Sequence, residues 1–468
     1  MQFMGLDINL KNRPALESGF LPAYAFVSRY RQGAAKPYAF AWERLDGCIS
    51  KFDTLIHGDE AHRELDLFYL AYMSEYAFFS WGGVKLYLCG DREISEALKA
   101  VYEDEKSPSN RVLTYGERVY KKPLEIAFLP YEQCPERLCS KPIGRHMDGC
   151  RIGFDAGASD RKVSAVIDGE VVYSEEVIWN PKLETDIDYL YREVVTAFKT
   201  AASKMPRVDA IGVSTTGNAE NNLLLSMHLH PLVSQKDKDE KGPYVFLRAQ
   251  KEIGEDIPML VLNDGNVSAL AGSMAIGKNK VWGVAIGTNI GTGYVDAEGN
   301  LSDMLIECAT TKIALNEDAE PNEWTTLKGT AGSYFNQDRV ADVAMKAGIE
   351  IDKSLYPAQK LLVVQEYMEK DDPRVRGIFD DLGCILAHHL PFISMFFDIE
   401  NVVLLGRVVS GKGGEVLLAA CERVLAEEYP ETAARIKLWL PDENFRRVGQ
   451  SIAAASLPMT KAAQAGAR

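Results

Sequence analysis

No apolar run in this 468-residue chain approaches the ~20 residues that cross a bilayer, so no membrane-spanning helix is expected. The first residues, MQFMGLDINLKNRP, hold no basic segment followed by an apolar one, and no secretory leader is expected either. Cysteine is sparse. Eight of them, scattered along the chain, do not form the dense pattern of a disulfide-stapled secreted domain, which points to a reduced, cytoplasmic protein. Positive charge is also short: 52 Lys and Arg stand against 67 Asp and Glu, a net charge of -15. Nucleic-acid binding needs a surplus of basic side chains on one face, so no nucleic-acid partner is expected, and the acidity serves solubility. Repeats and low-complexity segments are missing. So are the Gly-Lys-Ser/Thr of a Walker loop and the dinucleotide fingerprint.

What is present has the balance of a folded protein, 46% hydrophobic and 25% charged, at a length that predicts two or three domains. Residues 1–148 predict a helix over 61–79, a strand over 84–89 and a helix over 93–102. The Pro- and Gly-bearing stretch 129–149 then reads as a connection. No role can be assigned to this N-terminal extension from its residues. From residue 150 the pattern becomes dense β/α alternation. Three strands (151–159, 162–168 and 170–178) are separated by turns, the second of them Asp168-Gly169, a tight-hairpin signal. A helix over 186–202 and a strand over 210–214 complete a β-β-β-α-β opening of the ribonuclease-H-like kind. The pattern restarts at 259–264, with a helix at 267–275 and a hairpin over 281–299. Helices follow across 336–398, then strands at 401–406 and 436–441 and helices at 415–428 and 447–455. The expected fold is α/β: a two-lobed ribonuclease-H-like core with an additional α/β N-terminal region. Residues 149–265 with 445–460 would form lobe I and 266–444 lobe II, with a nucleotide in the cleft between them.

Four segments carry chemistry. Asp155-Ala-Gly157-Ala-Ser159, with Lys162 after it, ends a buried strand. Gly157 permits close backbone approach to a phosphate, and an acidic side chain there suits Mg²⁺ held through water. Gly287-Thr288-Asn289-Ile290-Gly291-Thr292-Gly293 is a hairpin rich in N–H and hydroxyl donors. Asn263-Asp264-Gly265-Asn266 places a carboxylate between two carboxamides at a strand end, where it can deprotonate a hydroxyl. Gly406-Arg407-Val-Val-Ser410-Gly411-Lys412-Gly413-Gly414 is a small-residue turn against which adenine and ribose can lie. Each segment has a plainer reading: a Gly/Ser hairpin, a flexible β-turn, a turn that caps the next helix, a structural strand-to-helix turn. Their order along the chain is the more specific signal.

In that order the residues resemble the ROK family of sugar kinases and sugar-responsive repressors, within the actin and sugar-kinase superfamily, over roughly 149–460. FDAGASDRK resembles the family's Asp-x-Gly-Gly-Thr-Lys strand, with Ala158 and Ser159 replacing Gly and Thr and two extra residues before Lys162. NDGNVSALAG resembles the Asn-Asp-x-Asn-Ala-Ala-Ala-x-Gly signature. That likeness implies Asp264 as catalytic base and Asn263 as a sugar-binding amide. GVSTTG, ending at Gly217 before Asn218, is similar to the turn that reaches the sugar. GTNIGTGY resembles the second phosphate loop (Gly287, Thr288, Asn289, Gly291, Thr292), and LLGRVVSGKGG the adenosine turn (Gly406, Gly411, Gly413). The chain departs from the pattern at Glu307-Cys-Ala-Thr310, where the family has Glu-x-Gly-His and then a cysteine-rich zinc segment. The likeness leaves Glu307 as a sugar ligand and removes the histidine and the zinc. The N-terminal 148 residues show no clear helix-turn-helix of the family's repressors.

The resemblance implies an ATP- and Mg²⁺-dependent kinase of a hydroxyl on a sugar or sugar-like metabolite, homodimeric and without a membrane partner. Two other readings stay open: a sugar-sensing protein without catalysis, and an ATPase that moves a partner. Other residues invite readings of their own. Cys134, Cys139, His146 and Cys150 cluster, but without paired Cys-x-x-Cys knuckles the cluster is not read as a metal site. His228 and His230 are expected to be satisfied polar residues near a cleft loop, His388-His389 a buried or partner-facing pair in an apolar helix, and Trp179 and Trp282 to pack in the sheets.

Overall fold

The computed structural model describes the whole chain apart from residues 18, 158–159, 228–229, 303, 320, 323–326, 442 and 467–468. Its N-terminal layer begins with α1 (Ala23–Arg31) and the hairpin β1 (Lys36–Glu43) and β2 (Ile49–Ile56). Helix α2 (Arg63–Trp81), β3 (Lys85–Cys89), α3 (Arg92–Glu103), α4 (Arg111–Tyr120) and β4 (Glu125–Leu129) follow. The sheet runs β2-β1-β3-β4, antiparallel except for the β3–β4 pair. Helix α3 forms as its sequence dictates: Asp91 accepts from the Ile94 N–H at its N-terminus, and Ile94, Leu98 and Tyr102 recur at helical spacing on the buried face.

Helix α2 is different. Every residue from Tyr69 to Trp81 is buried, so the helix has no solvent face. A helix apolar all round must lie inside a core, and here one continuous core joins the N-terminal layer to the second lobe. The Tyr76 ring lies 4.4 Å from that of Phe392, the Tyr76 hydroxyl bonds His389 Nε2 at 2.6 Å, and Trp81 Nε1 donates to the Phe396 carbonyl at 3.2 Å. His388 bonds Tyr429 and the Asn12 carbonyl. The histidine pair thus ties the N-terminal layer down.

Lobe I contains β5 (Cys150–Ala156), β6 (Asp160–Ile167), β7 (Glu170–Ile178), α5 (Ile187–Ala202), β8 (Ala210–Thr215) and β9 (Met259–Asn263). Its sheet order is β9-β8-β5-β6-β7: an antiparallel meander of three, with two parallel strands added beside β5. Asp168 and Gly169 both take positive φ, +47° and +87°, as a two-residue hairpin turn requires. Lobe II repeats the plan. After α6 (Asp264–Ile276), the hairpin β10 (Val281–Ile286) and β11 (Ile290–Val295) leads to α7 (Pro373–Ile393), β12 (Asn401–Leu405), α8 (Lys412–Glu428) and β13 (Lys437–Trp439). The order is β11-β10-β12-β13, with β12 and β13 parallel to β10. Lobe I has the five-stranded ribonuclease-H-like order, and lobe II has its four-stranded counterpart, with only a single bridge, Val295 to Leu301, beyond β11. Trp179 and Trp282 are buried in the two lobes.

Helix α9 (Glu443–Ala455) returns to lobe I and crosses its sheet, packing also on α6. The glycines of the central strands explain how. A Cβ at Gly153 would overlap the Ser451 carbonyl, and one at Gly212 the Ala454 carbonyl. On lobe II, Cβ atoms at Gly283 and Gly293 would come within 2.5 Å of Ala269 Cα and 2.6 Å of Asn266 Cα. Glycine in a strand interior here lets a helix backbone lie directly on the sheet.

The expectation of a fully reduced chain is corrected. Cys48, in the β1–β2 turn, is bonded to Cys139 at 2.00 Å, a pair separated by 91 residues and hence invisible as a spacing motif. The bond fastens the connection after β4 to the N-terminal sheet. Without reductant, the intact protein is expected to weigh 2 Da less than its free-thiol mass by mass spectrometry, and reduction to lower its melting temperature. Loop-closure entropy limits the loss to about 4.6 kcal/mol.

Candidate functional site

The ends of β5, β8 and β9 bring three polar segments of lobe I to one edge. Asp155, 3% exposed, accepts from Ser214 Oγ at 2.8 Å, and Ser214 accepts in turn from Gln450 Nε2 of α9 at 3.1 Å. Burial pushes the Asp155 carboxyl up to about 6. Lys162, 3.9 Å away, opposes that, and the negative charges of Asp264 and Asp160 add to it. Lys162 also pairs with Asp160 at 2.5 Å. Among the described residues no group of three or more His, Cys, Asp or Glu side chains is placed to hold a metal ion. Gly157 accepts from Trp179 Nε1 through its carbonyl at 2.8 Å. Ser159 lies outside the described residues.

Asp264 opens α6, where the helix dipole favours its ionised form. Burial acts the other way and raises its pKa, while the Thr216 hydroxyl, donating to Oδ2 at 3.0 Å, and the Gly265 N–H counter the rise. Asn263 is committed within the protein: Oδ1 accepts from the Gly265 N–H at 2.8 Å as a helix cap, and Nδ2 donates to the Gly217 carbonyl at 3.1 Å. The cap reading of this segment and its place at the cleft therefore coexist. Asn218 donates from its N–H to Ser226 Oγ at 2.7 Å and from Nδ2 to Tyr115 Oη at 3.0 Å.

Glu307 arrives from lobe II. Its N–H and those of Ile306 and Leu305 donate to the carbonyls of Phe79, Ser80 and Trp81, the last turn of α2, so a segment without zinc ligands is held by an N-terminal helix. Crowding by protein atoms pushes its carboxyl up to about 7. The Asp264 charge adds to the rise, while Arg118 and an Asn218 hydrogen bond resist it. An acid with a raised folded pKa loses stability as pH climbs from its unfolded value, so the penalty should grow between about pH 4.5 and 7 and then level off. Glu307→Gln should therefore melt with the parent near pH 4.5 and above it at pH 8. The difference is at most ~3 kcal/mol because solvent reaches the cleft, and differential scanning calorimetry at several pH values tests it.

The second loop is only partly open. Gly287 has free space beside it, whereas Thr292 is buried with its hydroxyl 3.5 Å from the Ile306 carbonyl. Thr288 Oγ1 accepts from Gln337, and Asn289 Oδ1 accepts from the Ile290 N–H. Gly291 lies against Gly265 of α6. In the strand-to-helix turn, Gly406 (φ +93°) passes over the Ile286 carbonyl, Gly411 (φ +64°) precedes α8, and a Cβ on Gly413 would come within 2.6 Å of the Phe379 ring. Gly413 thus serves helix packing. Arg407 reaches across the cleft to Asp160 Oδ2 at 3.3 Å and links the lobes.

Several residues at this site escape a reading of the sequence. Ser214 and Thr216 lie in the GVSTTG segment, but that segment did not foretell their hydrogen bonds to Asp155 and Asp264, and Gln450, which bonds Ser214 and the Asp264 carbonyl, belongs to no motif. Tyr115 and Arg118 come from α4 of the N-terminal layer, with the Arg118 guanidinium 4.9 Å from the Tyr115 ring centroid.

No family model matches the chain, and no curated protein matches it. Among solved structures it is similar to a ROK hexokinase from Thermus thermophilus (18% identity, 65% of this chain and 96% of that one, TM-score 0.49). It is equally similar to a ROK glucokinase from Streptomyces griseus in complex with glucose and AMPPNP (15%, 66% and 98%, TM-score 0.49). A ROK transcriptional regulator, homologous to the E. coli MLC protein, covers more of the chain, 83%, at 14% identity and TM-score 0.49. At scores below 0.5 these likenesses add no weight to the fold read from the two sheets. The architecture is α/β, with one mixed sheet in each lobe.

Proposed function

We propose that this protein is an ATP-dependent kinase of a hydroxyl on a sugar or sugar-like metabolite, and that its first 148 residues, lobe I and lobe II work as one enzyme. The observation that carries the reading is Asp264. It is a carboxylate at a helix N-terminus, oriented by the Thr216 hydroxyl, with Asp155 and Glu307 close enough for its charge to raise both their pKa values. Phosphoryl transfer asks mainly for positioning and charge neutralisation, so one aligned base suffices.

In this reading Asp264 takes the hydroxyl proton and Glu307 and Asn218 orient the acceptor. Asp155, through water, is the residue that would hold Mg²⁺, whose charge would neutralise phosphate oxygens. Lys162 and the open N–H groups near Gly287 lie on the phosphate side. The Arg407–Asp160 pair spans the mouth that a nucleotide would enter, which supports a cleft that opens for ATP and closes on it. The enzyme would work in the cytoplasm.

A second reading, a sugar sensor without catalysis, draws support from Cys308-Ala309-Thr310, which stands where the family has a glycine and a histidine. ADP release from Mg-ATP across a panel of hexoses, amino sugars and polyols separates the two. Turnover that depends on an acceptor supports the kinase. Sugar-induced thermal shifts without turnover on any acceptor support the sensor and overturn the kinase for that panel.

A further inference from the structure

The hairpin from β5 to β6 holds two residues more than the family strand it resembles, Asp160 and Arg161. Side chains alternate along a strand, so these two leave β6 on opposite faces. Arg161 lies on the side of α5, paired with Glu193 of that helix at 2.8 Å and with Glu175 of β7 at 3.0 Å. Asp160 leaves on the other face together with Lys162, two positions on, and Lys162 is the register partner of Asp155. The extra length therefore brings one additional carboxylate to the Asp155 end of the cleft.

There Asp160 meets a cation from each lobe. Lys162 Nζ lies 2.5 Å from its Oδ1, and Arg407 Nη2 lies 3.3 Å from its Oδ2. Arg407 is delivered by a pinned backbone: it follows Gly406 in the turn after β12, and its carbonyl accepts from Gln365 Nε2 at 2.8 Å. Two oxygens of one anion held by a lysine and an arginine is also how a phosphate is bound. Asp160 is 8% exposed, so its attraction to the two cations is less screened than that of a surface pair. Asp155, 3.9 Å from the same lysine, completes a balance of two carboxylates against two cations. The two cations thus offer an entering phosphate no surplus charge until a carboxylate moves aside. The Arg407 side chain is 56% exposed, so a ligand reaches this point from solvent.

We propose that Asp160 sets the affinity for the phosphate donor: its carboxylate stands where a phosphate of the nucleotide belongs, joins Lys162 to Arg407 in the unliganded protein, and is displaced on binding. The inference rests on the nucleotide reading of the cleft and not on phosphoryl transfer. Asp160→Asn keeps the shape of the side chain and removes its charge, and Asp160→Ser removes both. Isothermal calorimetry of the full-length protein compares them with the parent, using MgAMPPNP and adenosine as ligands. Both variants should bind MgAMPPNP tenfold or more tightly than the parent, while adenosine, which carries no phosphate, gains less than twofold. Binding of MgAMPPNP by the variants alone would also uphold the inference. A gain below tenfold in either variant that is folded by circular dichroism would overturn it and leave the nucleotide site standing, as would an equal gain for adenosine. No binding of MgAMPPNP by parent or variants would overturn the inference together with the nucleotide reading.

Discussion

Asp264→Asn is expected to lower kcat for sugar phosphorylation by ~10²–10⁴, the usual contribution of a positioned general base, with KM for the sugar changed by less than threefold. The substitution keeps the shape of the side chain and an oxygen able to accept from Thr216 Oγ1, so the N-terminus of α6 and its Asn263 cap stay in place. What is removed is the capacity to take a proton. The pH profile provides the second readout. Burial raises the Asp264 pKa, so the acid limb of kcat/KM should lie above the ordinary aspartate value of about 3.9. Coupled ADP-release kinetics checks both. A variant that keeps more than a tenth of the parental kcat would remove Asp264 from the role of base.

Gly212→Val is expected to cost ~3 kcal/mol or more, enough to leave most of the protein insoluble or unfolded at 37 °C. The reason is the crossing of α9 over lobe I. A Cβ at Gly212 would coincide with the Ala454 carbonyl, and the neighbouring Gly153 stands in the same relation to Ser451, so the helix backbone cannot shift away from one strand without meeting the other. Relief would require α9 to rise off the sheet, and α9 carries Gln450, which bonds Ser214 and the Asp264 carbonyl. Any variant that does fold should therefore lose activity as well. Chemical denaturation and circular dichroism give the measurement. A loss below 1 kcal/mol would mean that the helix and sheet are less closely packed than described.

The legibility of this molecule was uneven for physical reasons. Strand order in both lobes followed from short apolar runs, turn residues and a helix between strands, all local signals. Asp168-Gly169 is a turn that its own two residues specify. Gly153, Gly212, Gly283 and Gly293 stood in plain view inside strand patterns, yet only the facing helix reveals why no side chain fits. Asp155 and Asp264 were singled out through their neighbours in sequence and Glu307 through the family likeness, and the structure brings the three within electrostatic reach of one another. Tyr115 and Arg118 could not be, because they reach the cleft from another layer, and no periodicity in α4 distinguishes a residue aimed at Asn218 from one aimed at solvent. The Cys48–Cys139 bond was hidden in the same way, by chain length between its partners. Asn263 shows the opposite case: the helix-cap reading of the segment describes what its side chain does, Oδ1 accepting from the Gly265 N–H and Nδ2 donating to the Gly217 carbonyl.

The shared core of the N-terminal layer and lobe II bears on how the chain is made. Synthesis runs from the N-terminus, so α2, buried on every side between Tyr69 and Trp81, leaves the ribosome long before α7 and Phe396, which cover it. Until then Tyr69 and Phe78 pack on Tyr30 and Trp42 of the N-terminal layer, but the face that meets Phe392 and Phe396 is uncovered, and the first 148 residues cannot complete their fold as a unit. Lobe I, with its own separate core, is synthesised in that interval and can form first. The nascent chain therefore carries an uncovered aromatic face through most of its translation, and its last-made segments close over it.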